Sequence, residues 1–353
     1  MAAACGGELA GSVSAVGGFG FIGAGYYTTQ KLSEEIALAR EQLGPNEVDG
    51  KPDTAMLPIG AGFLVWNLTK LAGGEIPSSN DSPSKSEAHA ILDLVATERL
   101  AALWLSFGTV AETSAWLAYF KRRVQVNSSS HSWKLFIGVG NLEEAQSALE
   151  HYAPDVLAIT GGGAGGHGLA ASPPLSEFLP KAVHLVASAS NSSSLGANKT
   201  PLLLGAGGLS DGASLASILT LGADGGIFGT RFLLTPQASY TRAQKNVLLR
   251  SDGATLRTMA FDEARGTTGW PAGVDGRGIR NATVDDYEAQ RGGNAEARRE
   301  VYAEAANKGD ENRIVTWSGT GVGNMRDIVD ARELVMRLSQ EARAAVERCS
   351  DYL

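Results

Sequence analysis

Short apolar runs that contain or end in glycine recur along the chain and constrain its fold more than any other feature. Each run has four to eight residues, and they occupy positions 19–23, 57–64, 102–108, 135–140, 156–161, 201–207 and 226–229. Runs of this length with almost no polar residue are typical of parallel strands that are covered on both faces. Helical patterns lie between them, and strands that alternate with helices predict an α/β fold.

Four of the helical patterns have clear boundaries. Residues 33–43, 141–151 and 210–221 follow strand candidates, with Ser33, Asn141 and Asp211 as expected N-caps. Residues 327–349 form a longer amphipathic pattern, which predicts a helix packed on the rest of the molecule. Residues 188–200 are rich in serine and asparagine and are expected to form a solvated loop.

The arrangement of the turns favours a (βα)8 TIM barrel over an open, doubly wound sheet. Glycine-rich turns follow one strand after another, as expected when one rim of a barrel carries the functional loops. Only seven strand candidates are present, so the barrel is expected to lack its first strand. The predicted division is a βα barrel at residues 1–235, a helical cap at 236–312, and a C-terminal segment at 313–353 whose helix packs back on the barrel.

Composition excludes several classes of protein. The 30 Lys and Arg against 38 Asp and Glu give a net charge of −8, whereas a nucleic-acid binder usually has a basic excess. No apolar stretch is long enough to span a membrane, and no secretory signal pattern opens the chain. The two cysteines and the five histidines show no metal-ligand spacing, so no metal is expected. These features predict a cytoplasmic protein without nucleic-acid or membrane partners, and they leave open whether it forms a homo-oligomer.

Two glycine-rich turns form a candidate phosphate site. Gly207 and Gly208 follow a predicted strand and precede a helix, where free N–H groups and the helix dipole favour an anion. Gly229 and Thr230 follow the next strand and add backbone donors and a hydroxyl group. In TIM barrels, the loops after the last two strands recurrently bind phosphate.

His167 is the candidate catalytic residue. It lies in the segment ITGGGAGGHG at positions 159–168, at the end of a predicted strand. Histidine can take up or release a proton near neutral pH, and glycines allow a ligand to approach closely, so this segment predicts a general base. Arg277 and Arg280, in a glycine-rich segment predicted to turn at Asp275-Gly276-Arg277, either face an anionic ligand or form surface ion pairs.

These motifs together resemble the nitronate monooxygenase family, once called 2-nitropropane dioxygenases. Met1-Ala2 and the segment at 17–23 fit the family's opening, Ala164-Gly165-Gly166-His167 fits its AGGH signature, and residues 222–232 fit its GADGVQMGTRF block. The segment with Trp317-Ser318-Gly319 looks like the fungal-type members. The resemblance implies a TIM barrel that binds flavin mononucleotide (FMN) and oxidises alkyl nitronates with O2 to a carbonyl compound and nitrite.

The resemblance also implies roles for individual residues. The flavin phosphate would be held by Gly207, Gly208, Gly229 and Thr230, with His167 as the base or as the group that holds the nitronate. The flavin ring and ribityl chain would lie near Met1, Ala2, Gly23, Thr160, Gly165 and Gly166. Thr160 stands where the family often has glutamine. Two alternatives remain: an NAD(P)H-dependent flavin reductase acting on quinones or enoyl thioesters, and an inactive barrel that lacks one strand.

Overall fold

The structure, a computed structural model, describes residues 4–44, 56–127, 132–191 and 200–350. Its strands are β1 (Gly20–Ile22), β2 (Leu57–Leu64), β3 (Leu100–Ser106), β4 (Lys134–Val139), β5 (Val156–Thr160), β6 (Gly166–Leu169), β7 (Leu202–Ala206), β8 (Gly225–Ile227), β9 (Thr255–Thr258) and β10 (Val274–Ile279). Its helices are α1 (Gly7–Ser14), α2 (Thr29–Leu43), α3 (Val65–Leu71), α4 (Glu87–Thr97), α5 (Val110–Asn127), α6 (Leu142–Tyr152), α7 (Leu175–Asn191), α8 (Gly212–Thr220), α9 (Thr230–Leu233), α10 (Arg242–Arg250), α11 (Ala260–Arg265), α12 (Ala282–Glu288), α13 (Ala295–Lys308) and α14 (Ala331–Ser350), with a 3-10 helix at Thr320–Asn324.

Seven parallel strands form the main sheet. Their order is β1-β2-β3-β4-β5-β7-β8, so each strand pairs with the next one that the sequence predicted. The seven strand predictions and the α/β fold class are therefore confirmed. The strands are apolar on both faces because helices cover the outside of the sheet and its inside faces the core.

The sheet curls around its interior as a TIM barrel does. Side chains from β1 reach across to β3 and β4: the Phe21 ring centroid lies 5.2 Å from that of Trp104 and 4.9 Å from that of Phe136. All seven strands also line one cavity. In the described part of the chain, β1 and β8 are the two edges of this sheet and do not pair with each other.

The helix caps agree with the sequence at two positions of three. Asn141 accepts a hydrogen bond from the Glu144 N–H, and Asp211 forms a capping box with Ser214, as predicted. The prediction that Ser33 caps α2 is wrong, because that helix begins a turn earlier and the Thr28 side chain accepts the Lys31 N–H. Both threonine and serine cap helices well, so composition alone does not choose between them.

The chain around residue 190 is more helical than the sequence suggested. Helix α7 continues to Asn191, so the first residues of the expected loop at 188–200 are helical, and residues 192–199 lie outside the described residues. The predicted C-terminal helix is confirmed as α14, which packs on α8 through Ala342 and on α1 through Ala331. Its Leu334 and Leu338 pack against Phe228 and Phe232, after β8. No helix in the described ranges is long and apolar enough to cross a membrane.

A second, antiparallel sheet was not predicted from the sequence. It has the order β6-β10-β9 and joins the segment with His167 to the region at 236–312. The expected loop at 159–168 therefore ends in a strand, and the expected turn at Asp275-Gly276-Arg277 lies within β10. The second sheet fixes the position of His167 more firmly than a loop would.

A buried arginine ties the segment after β8 to the start of α14. The Arg231 side chain is only 4% exposed, and its guanidinium donates to the carboxylate and the backbone carbonyl of Asp327, at 2.6 and 3.1 Å. Arg337 also donates to that carboxylate, at 2.8 Å. The Asp327 carboxylate is therefore the main counter-charge of a cation held away from water.

We expect Asp327→Ala to lower the free energy of unfolding by about 2–3 kcal/mol, because it leaves the buried Arg231 cation without its carboxylate. Hydrogen bonding from Arg337 lowers the pKa of Asp327, so this stabilisation is present at neutral pH and is lost as the pH falls through that lowered value. Urea unfolding of the cofactor-free protein measures it. Glu304→Ala, which removes an exposed pair with Lys308, is the control and should change little.

Candidate active site

One large cavity extends from the interior of the main sheet to the loops after the C-terminal strand ends. Its volume is about 1480 Å³, more than the ~300–1,000 Å³ typical of small-molecule pockets. The structure brings eight of the predicted site residues to its wall: Gly23, Thr160, Gly165, His167, Gly207, Gly208, Gly229 and Thr230. The cavity therefore unites the candidate base with both glycine turns and has room for two ligands.

Of the other three predicted site residues, one lies away from this wall and two fall outside the described residues. Gly166 is buried and does not line the cavity; its φ of +76° turns the chain into β6, a conformation that favours glycine. Met1 and Ala2 lie outside the described residues. Thr160 lines the cavity, but its hydroxyl group donates to the Ala158 carbonyl oxygen at 3.3 Å.

The turn after β7 is shaped for close approach of a ligand. Gly207 has a φ of +116° and Gly208 one of +79°. A Cβ on Gly207 would lie 2.9 Å from the Ala164 nitrogen, so only glycine fits there. No described residue accepts a hydrogen bond from the N–H groups of Gly207, Gly208 or Gly229. Such unpaired donors at the wall of a cavity suit an anionic group.

The neighbouring helix contributes less to an anion site than the sequence suggested. The Asp211 carboxylate accepts the Ser214 N–H at 2.8 Å, and the Glu341 carboxylate accepts the Gly212 N–H at 2.9 Å. Two carboxylates therefore already occupy the first turn of α8, where the helix dipole would act. The donors that remain for an anion are those of the two glycine turns.

A third segment joins these turns and was only partly visible in the sequence. The Gly319 N–H donates to the Thr230 hydroxyl oxygen at 2.9 Å, and the Thr320 N–H donates to the Gly163 carbonyl at 3.0 Å. The segment with Trp317-Ser318-Gly319 resembles the fungal-type members, but its sequence does not indicate this contact. The 3-10 segment thus holds the turns after β5 and β8 together.

His167 lies on β6 beside a buried carboxylate. Its Nε2 atom is 2.9 Å from Oδ2 and 3.0 Å from Oδ1 of Asp262. The Asp262 side chain is fully buried, whereas that of His167 remains 11% exposed. The imidazole therefore forms a hydrogen bond with a buried aspartate, while His167 also lines the cavity.

Aromatic rings fix the plane of the imidazole. The Trp270 ring stacks on it with 3.7 Å between centroids and 10° between planes, and the Trp317 ring meets it edge-on at 4.8 Å. Trp317 can approach because Gly276 has no side chain: a Cβ there would lie 2.3 Å from the indole. Rotation of the His167 ring would lose both contacts.

Neither arginine suggested by the sequence lines the cavity. Arg280 is half-exposed and pairs with Asp285 and Glu288, which is the surface alternative. Arg277 donates to the Gly162 carbonyl at 2.9 Å and to the Thr255 hydroxyl, behind the glycine loop. Burial, together with the nearby Arg257, lowers the pKa of Arg277. Arg277 therefore stabilises the glycine loop around Gly162 without lining the cavity.

Sequence relatives and solved structures agree on what this chain is similar to. The profile of the family "Nitronate monooxygenase" matches residues 116–341. The nitronate monooxygenase npaC of Metarhizium robertsii is 32% identical over 95% of this chain and 87% of its own length, and the nitronate monooxygenase of Neurospora crassa is 29% identical over 98% and 88%.

Two solved structures share the fold. FabK from Thermotoga maritima has a TM-score of 0.70 at 18% identity and covers 100% of this chain and 94% of its own. Nitroalkane oxidase from Streptomyces ansochromogenes has a TM-score of 0.69 at 20% identity, with 98% and 94% covered. The family match and the fungal relatives, rather than these folds, identify the chain as an oxidoreductase that belongs to the nitronate monooxygenase family.

Proposed function

We propose that this enzyme binds FMN in the cavity and oxidises alkyl nitronates with O2 to a carbonyl compound and nitrite, with His167 as the general base that forms the nitronate from a neutral nitroalkane. One observation carries the proposal: His167 and the glycine turns with unpaired N–H groups line the same cavity. Members of the family are flavin-dependent in general. A cavity lined by both a base and backbone N–H groups that can bind an anion suits a phosphorylated cofactor and a small acidic substrate.

The residues present fit a flavin. Gly207, Gly208, Gly229 and Thr230 would hold its phosphate, because their backbone donors lack protein partners or lie at the start of a short helix. Gly23, Thr160 and Gly165, at or after the ends of strands, would line its ring. The placement of Met1 and Ala2 beside the ring remains a prediction. The volume leaves room for a small substrate beside the cofactor.

The bound flavin would supply the electron-transfer chemistry, which the side chains of the chain lack. The protein's own part is to bind, orient and transfer a proton. His167 accepts the proton on the carbon next to the nitro group of a neutral nitroalkane, which leaves the anionic nitronate. Phe107, an apolar residue of the wall whose ring centroid lies 5.3 Å from that of Trp270, would limit the access of water to this proton transfer.

A test begins with the visible absorption of the purified chain after incubation with FMN. We expect the protein to bind flavin and, with ethyl nitronate as substrate, to consume O2 and release nitrite. Without ethyl nitronate, we expect no comparable oxidation of NADH. Rapid NADH oxidation with a quinone or an enoyl thioester, without nitrite release from nitronates, would establish the reductase alternative instead. A protein that binds no flavin would refute both.

A further inference from the structure

We propose that Asp262 is a positioning residue that keeps the proton of neutral His167 on Nε2, so that Nδ1 is the atom that takes the substrate's proton. The tautomer assignment concerns the protein alone. Its catalytic consequence rests on the proposed function, because a nitroalkane is the proton donor there. Asp262 itself does not line the cavity.

The hydrogen-bond geometry assigns the tautomer. An ionised carboxylate can only accept hydrogen bonds, and both Asp262 oxygens lie within 3.0 Å of Nε2. The Nε2 atom must therefore carry a hydrogen. Among the described residues, Asp262 is the only hydrogen-bond partner of the ring, so Nδ1 keeps its lone pair.

The carboxylate is itself held in place by two further donors. Its Oδ1 atom accepts the Thr267 hydroxyl at 2.9 Å and the Trp270 indole N–H at 3.1 Å. Trp270 thus acts twice, since its ring also stacks on the imidazole. Both members of the pair are fixed by the same turn after α11, which leaves the ring little freedom to rotate or flip.

The charge of Asp262 is hard to explain by packing alone. Burying a carboxylate costs free energy, and a neutral acceptor would satisfy Thr267 and Trp270 equally well. Among the described residues, no Lys or Arg lies within ion-pair distance of the Asp262 carboxylate, and His167 is its single partner at that distance. A fixed negative charge at this place stabilises the positive charge that develops on the ring when Nδ1 takes a proton.

The step itself is a proton transfer. The bond between the α-carbon of the nitroalkane and its hydrogen breaks and the proton moves to Nδ1. The electron pair of that bond stays on the substrate and forms the C=N bond of the nitronate, with the negative charge on the nitro oxygens. His167 then carries a proton on both nitrogens, and Asp262 remains ionised. No oxidant is needed until the nitronate has formed.

The tautomer is directly measurable by 15N NMR of protein labelled at its histidines. His167→Asn identifies the His167 signals among those of the five histidines. In the wild type at a pH where the ring is neutral, we expect a protonated Nε2 and an unprotonated Nδ1. The opposite pattern in the wild type would overturn the proposal without any Asp262 variant having to fold, and whether or not the enzyme oxidises nitro compounds.

Asp262→Asn should reverse the tautomer. Thr267 and Trp270 will keep the amide oxygen on their side, so the NH2 group takes the Oδ2 position and donates to Nε2. The proton then moves to Nδ1, which loses its lone pair, and the NMR pattern of His167 should invert. An unchanged tautomer in this variant would overturn the proposal.

The kinetic consequence separates positioning from support of the fold. With Asp262→Asn, kcat on neutral nitroethane should fall about 10²-fold or more, whereas turnover of pre-formed ethyl nitronate, which needs no proton removal, should change little. Equal losses on both substrates would mean a structural role and overturn the proposal. Asp286→Asn, the same change in a carboxylate that pairs with Arg291 and Arg313, is the control and should leave both rates unchanged.

Discussion

His167→Asn is expected to slow the oxidation of neutral nitroethane by about 10²-fold or more while the enzyme keeps its flavin. Asparagine is similar in size, but it cannot accept a proton near neutral pH. Among the described residues the imidazole forms no hydrogen bond with the glycine turns after β7 and β8, so we expect these turns to keep their conformation. Nitrite release under saturating nitroethane, normalised to bound flavin, measures the effect.

Two comparisons make this expectation decisive. Pre-formed ethyl nitronate should be oxidised by the variant far better than neutral nitroethane, because its proton has already been removed. His151→Asn is the matched control: that side chain is exposed, contacts the Ser147 carbonyl and does not line the cavity. Unchanged nitroethane turnover in His167→Asn would remove His167 from the proton transfer.

The main sheet could be predicted because its signal is local. Parallel strands such as β2, β3 and β5 are largely buried on both faces, so each of them reads as a short apolar run. The strand of residues 156–160, for example, has four fully buried positions followed by Thr160 and a glycine loop. Nothing beyond the run itself is needed to recognise it.

The second sheet could not be recognised because glycine stands at its buried positions. Strand β10 alternates between buried and partly exposed residues, as a half-buried strand should, but two of its three buried residues are Gly276 and Gly278. The Trp317 ring fills the space where a Gly276 side chain would lie, and the Phe261 ring and the Thr316 carbonyl lie close to Gly278. The segment around Gly276 looks like a turn in the sequence, but it is strand β10, and the apolar Trp317 ring that packs on it comes about 40 residues later in the chain.

The residues of the candidate site also differ in whether the sequence reveals them. The glycine turns and His167 are visible because each motif is contiguous in sequence. Asp262 lies 95 residues from His167, in a short helix whose sequence contains no unusual pattern. Trp270 lies eight residues after Asp262, in a segment without a catalytic motif. Their contact with His167 depends on how β6, β10 and α11 pack, which no local pattern of one sequence reveals.

Gly208→Ala is expected to weaken FMN binding about tenfold or more, equivalent to roughly 1.4 kcal/mol. At φ +79° an alanine is strained, and its relaxation would move the unpaired N–H away from the cavity. The new methyl group would also lie 3.0 Å from the Thr320 hydroxyl oxygen, in the segment that joins the turns. Titration of the cofactor-free protein with FMN, followed by flavin fluorescence, gives the dissociation constant.

A control must distinguish the effect of backbone strain at a positive φ from the loss of the N–H donor that would bind the phosphate. Gly273→Ala provides that control, because Gly273 has the same φ of +79°, has open space around its would-be Cβ, and lies outside the cavity wall. Both variants should lose similar stability to unfolding, but only Gly208→Ala should lose affinity for FMN. If the two bind FMN equally well, the turn after β7 does not hold the phosphate. If both lose the cofactor alike, backbone strain rather than the N–H donor explains the loss.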